Sequence, residues 1–89
     1  MDRLEHLALR YVWWQPPAET LGRPHKLLCQ ILTMGTAEDY LLVRETWGEE
    51  ALKEALLTAG PGEVDERSWA FWHRYYGLEE RPYPRRSFT

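Results

Sequence analysis

The stretch Ser68-Trp69-Ala70-Phe71-Trp72-His73-Arg74-Tyr75-Tyr76-Gly77-Leu78 places five aromatic rings in eight consecutive positions. Rings at this density either fill a small core or wait for a partner, because Trp, Tyr and Arg dominate the hot spots of protein interfaces. His73 lies among them, and a histidine beside tryptophans and carboxylates can acquire the shifted pKa that proton transfer needs. The plainer reading of His73 is a side chain at the solvent edge. His6 and His25 are scattered, one on a polar face and one in a first turn after Pro24. Cys29 is the only cysteine, which leaves no internal disulfide and no cysteine metal cluster. It reads as a small buried hydrophobe. Glu49-Glu50 and Glu79-Glu80 read as solvated termini. The chain has no glycine-rich phosphate loop, no HExxH and no CxxC. The expectation is a protein that is not an enzyme, with no catalytic residue, metal or cofactor assigned.

The rings need a scaffold, and the period of the apolar residues makes it helical. Leu4, Leu7, Ala8, Tyr11 and Val12 form one stripe at 100° per residue, with Arg3, His6 and Arg10 opposite, until Pro16-Pro17 stops the helix. After a loop from Ala18 to Arg23, Pro24 opens a second helix whose Leu27, Leu28, Ile31, Leu32 and Met34 share a face. Gly35 closes it. Thr36 caps a third helix that starts with Glu38 and Asp39 at the positive end of its dipole and ends at Trp47-Gly48. Arg44 falls inside that helix's apolar arc, either snorkelling along the core edge, contacting a partner or forming a buried pair. A fourth helix runs from Glu49 to Ala59 with Ala51, Leu52, Ala55, Leu56 and Ala59 on one side.

The aromatic stretch makes the fifth helix. Asp65 is its N-cap, Val64 and Trp69 have the spacing of a hydrophobic staple, and Gly77 is the stop. Phe71, Tyr75, Trp72, Tyr76 and Trp69 span an arc of about 160°, wider than the roughly 100° a surface helix buries. Tyr11-Val12-Trp13-Trp14 can stack against the excess and join the two ends of the chain in one cluster, or part of that cluster stays open for docking; both hold at once with Trp69 and Trp72 inside and a flank such as Trp13 or Tyr75 outside.

These elements describe an all-α protein: a compact five-helix single domain over residues 1–78 and an extended basic C-terminal arm over 79–89. At 89 residues, 44% hydrophobic and 28% charged, the chain is the size and composition of one globular domain with a small core. No apolar run approaches the roughly 20 residues of a membrane span, and no signal-peptide pattern follows Met1, so a cytoplasmic protein is expected. The arm carries Pro82 and Pro84, which exclude helix. The plainer reading of the arm is a frayed terminus; the sharper one is that Arg81, Arg85 and Arg86, interleaved with Tyr83 and Phe88, order along an acidic partner groove.

Charge decides against one tempting function. Residues 36–66 carry two basic and nine acidic side chains, while residues 67–89 carry five basic and two acidic. The third and fourth helices, joined through Gly48, resemble a helix-turn-helix, yet the fourth begins Glu49-Glu50 where a recognition helix must approach phosphates. Nucleic acid is therefore disfavoured, and a DNA-binding regulator or a homodimeric interaction module stands second to a module for another protein. The docking residues expected from the sequence are Trp13, Trp14, Arg44, Trp69, Trp72, His73, Tyr75, Arg81, Tyr83, Arg85 and Arg86.

The segments Tyr11-Val12-Trp13-Trp14-Gln15-Pro16-Pro17, Met34 to Leu56, Asp65 to His73 and Pro84 to Phe88 together resemble a family of small, uncharacterised bacterial proteins. Its members are encoded beside nucleotidyltransferase-like toxins of the abortive-infection type. The resemblance implies an antitoxin or accessory partner of such a toxin, and brings no catalytic residue with it.

Overall fold

The computed structural model describes residues 2–79 and 81–84. Six α-helices follow one another: α1 (Arg3–Tyr11), α2 (Pro17–Gly22), α3 (His25–Met34), α4 (Ala37–Trp47), α5 (Glu49–Thr58) and α6 (Glu66–Tyr75). No strand is present among the described residues. No helix is long and apolar enough to cross a membrane among them. Five of the helices are those expected from the sequence, and α2 occupies what reads as a loop. Its signal was Pro17 at the first helical position, where a fixed φ and a missing N–H cost nothing. Six residues contain too few turns to show a period. Thr20 anchors this helix, fully buried and bonded by Gln15 Nε2 at 2.9 Å.

The termini of the helices follow local chemistry. Asp2 accepts from Glu5 N–H at 2.8 Å, and the Glu5 side chain returns to the Asp2 N–H, forming a capping box. Thr36 accepts from Asp39 N–H and Asp65 from Ser68 N–H, as the sequence implies. At the end of α6 the Leu78 N–H reaches His73 O and the Gly77 N–H reaches Arg74 O, with Gly77 at φ 65°. That is a Schellman closure, which requires a left-handed residue. Gly48, at φ 92° and ψ 159°, caps α4 and opens α5 in one residue, a conformation that only glycine adopts freely. Gly35 closes α3 for another reason. Its φ is ordinary, but a Cβ there would sit 2.6 Å from Ile31 O.

Helix α3 is the centre of the fold, packed on by α1, α4, α5 and α6. It buries Leu27, Leu28, Cys29, Ile31 and Leu32, more than one face, as a helix surrounded by others must. Leu7, Tyr11 and Val12 from the first helix, Tyr40 and Val43 from α4, Leu52, Ala55 and Leu56 from α5, and Val64 and Trp69 complete one continuous core. Asp39 is also buried, receiving Arg10 Nη1 at 3.1 Å and the Tyr11 hydroxyl. Burial first, and then the hydrogen bond to Asp39, raises the Tyr11 pKa above its usual value.

Candidate functional site

The rings at the two ends of the chain do not gather into one patch. Trp13 and Trp14 meet edge to face at 5.7 Å, and no ring pair among the described residues links them to α6. The reason is where α1 stops. It ends at Tyr11 with Val12 as its cap, so the chain turns before the tryptophans reach a helical face. They project instead, Trp13 at 73% and Trp14 at 50% exposure.

On α6 the arc is split between inside and outside. Trp69 is buried and lies 3.9 Å from His73, ring to ring. His73 is only 3% exposed, which corrects its expected place at the solvent edge. Its Nδ1 lies 2.7 Å from Trp69 O and its Nε2 accepts from Arg81 Nε at 3.3 Å. The sequence missed this because His73 is polar. Its own helix supplies one partner, Trp69 O, and the neighbouring arm supplies the other, Arg81 Nε, and together they let a polar ring be buried. Trp69 Nε1 is the one buried side-chain polar atom without a hydrogen-bond partner among the described residues.

The middle of the arc rests on its neighbours through hydrogen bonds. Trp72 stacks on Tyr40 at 4.9 Å and 24°, and its indole N–H donates to Leu32 O at 2.7 Å. Tyr76 stacks on Trp72 and shares a 2.7 Å hydroxyl contact with Tyr40. Burial, followed by the bond to Tyr40, raises the Tyr76 pKa far above that of a free phenol. Cations lie over both tyrosines: Arg44 is 5.9 Å from the Tyr40 ring and Lys53 is 5.7 Å from Tyr76. Arg44 is itself exposed, so it sits on the surface of the aromatic layer and not in the core.

Beyond that layer lie Phe71 at 53% and Tyr75 at 56% exposure, one turn apart and stacked at 6.0 Å and 19°. Arg67 and Arg74, also exposed, fall on the same side of the helix by their spacing of four and three residues from Phe71. The outcome is a ridge of two rings with two exposed arginines on the same side of the helix. Phe71 was read as part of the aromatic arc but not as a docking residue, because the arc alone does not show which flank faces out.

The arm is docked on its own domain as far as it is described. Arg81 Nη2 donates to Leu57 O at 2.9 Å and Leu56 O at 3.4 Å, and its guanidinium lies 5.6 Å from the Trp69 ring. It therefore satisfies carbonyls at the negative end of α5. Tyr83 donates its hydroxyl to Val64 O and meets Trp69 edge to face at 5.6 Å. These contacts hold Arg81 and Tyr83 on the chain's own helices, where the sequence reads as a segment that orders along a partner groove. Arg85 and Arg86 lie outside the described residues.

A second cluster was not expected. His25 and Cys29, one turn apart on α3, meet Glu63 from the turn after α5. His25 Nε2 lies 3.1 Å from Glu63 Oε1 and 3.5 Å from Cys29 Sγ. The Gly60 N–H donates to Glu63 Oε1 at 2.6 Å. That bond, aided by His25, holds the carboxyl below the usual range against partial burial. Burial and the Glu63 charge push the Cys29 thiol up to about 12. The spacing of His25 and Cys29 was visible in the sequence, but Glu63 lies 34 residues beyond Cys29 and only the fold supplies it.

No family model, curated protein or solved structure matches the chain.

Proposed function

We propose that this chain is a protein-binding module without chemistry of its own, and that its partner seats on the ridge of Phe71 and Tyr75. The observation that carries the reading is that two rings on successive turns are more than half exposed while the layer beneath them is fixed by stacking and hydrogen bonds. Rings held in place before contact lose little freedom on binding, and aromatic anchors with arginines are the usual composition of a hot spot. Exposed Arg67 and Arg74 beside them suit an acidic partner face.

The resemblance drawn from the sequence supplies the partner class, a nucleotidyltransferase toxin. Binding would be stoichiometric: the ridge covers the acidic or metal-binding face of the toxin, and an arginine set on those acidic groups blocks substrate or magnesium. Trp13 and Trp14 form a second exposed aromatic surface that can extend the contact.

Co-expression with such a toxin tests this. A complex should co-purify and relieve toxicity, and the double substitution Phe71→Ala with Tyr75→Ala should abolish both while leaving the helical circular dichroism intact. A complex indifferent to that double substitution rejects the ridge. Absence of any complex at micromolar concentration, with toxicity unrelieved, rejects the partner. Light scattering of the chain alone then shows whether the ridge serves a second copy.

A further inference from the structure

We propose that His25, Cys29 and Glu63 bind a divalent transition-metal ion of the zinc class, with one coordination position left to a ligand from outside the chain. The proposal is independent of the partner reading, because none of the three residues belongs to the ridge.

The geometry of the donor atoms carries it. Ligand atoms held tetrahedrally at 2.0–2.3 Å from one ion lie roughly 3.3–3.7 Å from each other. Here the nitrogen lies 3.5 Å from the sulfur and 3.1 Å from the carboxylate oxygen. All three atoms lie within 4.8 Å of one another. The two edges to the carboxylate are the ones left to adjust, and the partly exposed Glu63, tied at Oε1 by the Gly60 N–H, makes that adjustment by a small shift of its side chain.

The same geometry excludes the obvious competitor, a Cys–His–Glu catalytic relay. A relay places nucleophile and orienting carboxylate on opposite ring nitrogens. Here both face Nε2. One nitrogen cannot accept the thiol proton and donate to the carboxylate together. Three donors converging on one point is the arrangement an ion needs.

The donor types agree. Thiolate, imidazole and carboxylate are the ligand set of zinc, and the thiolate disfavours magnesium and calcium. Two anionic ligands and one neutral one balance a doubly charged cation. On binding, the Cys29 S–H bond breaks and its proton leaves to solvent as the sulfur–metal bond forms. His25 contributes the Nε2 lone pair, Glu63 a carboxylate oxygen, and water fills the fourth position. Access is provided: Cys29 and Glu63 border a cleft of about 320 Å³ shared with Trp14, and His25 and Glu63 border another of about 300 Å³. The ion would pin α3 to the turn that leads into Asp65, the cap of α6.

The tag-free, reduced chain is titrated with zinc by calorimetry and with cobalt by absorbance. Expected are one equivalent per chain, release of one proton per ion, a thiolate-to-cobalt charge-transfer band and a raised melting temperature. His25→Gln and Glu63→Gln alter partly exposed side chains, so the fold should persist. Each should weaken binding by more than the roughly 10–100-fold that follows loss of an outer partner of a metal site. Cys29→Ser should remove the charge-transfer band. Because Cys29 is buried, that variant is first checked for helical content, and if it unfolds the two other variants decide. Saturable binding missing in the native chain, cobalt binding without the thiolate band, or native affinity in folded His25→Gln and Glu63→Gln would each overturn the assignment.

Discussion

The Trp13–Trp14 corner and the aromatic row of α6 use the same kinds of ring on different supports. The corner follows the end of α1, and among the described residues its two indoles contact each other as rings and nothing else aromatic. The row is underpinned: Trp69 is in the core, Trp72 donates to Leu32, and Tyr76 is tied to Tyr40. Exposure alone therefore does not distinguish the two surfaces. What distinguishes them is the support beneath, since the row rests on side chains fixed by stacking and hydrogen bonds while the corner has its single ring pair.

The sharpest way to break this comparison is to truncate one ring from each group. Trp69→Ala should cost about 3–5 kcal/mol of stability by urea denaturation, as expected of a large side chain removed from a core. Trp13→Ala should stay within about 0.5 kcal/mol. Similar losses at both positions would show that the corner is a structural cluster after all. A finer cut keeps an aromatic side chain and removes the indole N–H with part of the ring. Trp72→Phe leaves Leu32 O without its donor and should cost about 1–3 kcal/mol. Trp14→Phe should cost next to nothing.

Arg81→Ala tests the arm's share in supporting the row. Loss of its bonds to α5 and its place over Trp69 should cost about 1 kcal/mol, with His73 becoming more accessible to solvent.

Alkali separates the groups more gently, since the row contains phenols and the corner does not. Tyr76 and Tyr11 have folded pKa values raised above the unfolded one. The stability they contribute is fully present below the unfolded phenol pKa of about 10 and is lost as pH rises above it toward the folded values. Melting temperature should therefore fall above that pH, and less steeply in Tyr76→Phe. An unchanged slope would remove the Tyr40–Tyr76 pair from the support of the row.

Much of the fold was legible. Periodicity located α1, α3, α4, α5 and α6, and Thr36, Gly48, Asp65 and Gly77 marked their ends because capping is a local interaction. The site was legible only in part. The excess width of the α6 arc announced that some rings would remain outside, and Tyr75 is among them with Trp69 inside, but His73 turned inward where the sequence implies a solvent-edge side chain. Arg81 and Tyr83 read as a free arm because prolines and arginines are common in such segments. Their real partners, the carbonyls of Leu56, Leu57 and Val64, leave no trace in side-chain type. The α2 helix escaped because six residues are too short for a period to show.

By itself the sequence determined an all-helical chain with α6 as an aromatic helix, since repeat spacing and caps act between residues a few positions apart. Tertiary structure alone decided which side of that helix is core, that Arg81 and Tyr83 fold back onto it, and that His25, Cys29 and Glu63 come together. Each of those depends on groups far apart in the chain, whose meeting is set by how helices pack around α3 and not by any spacing along the sequence.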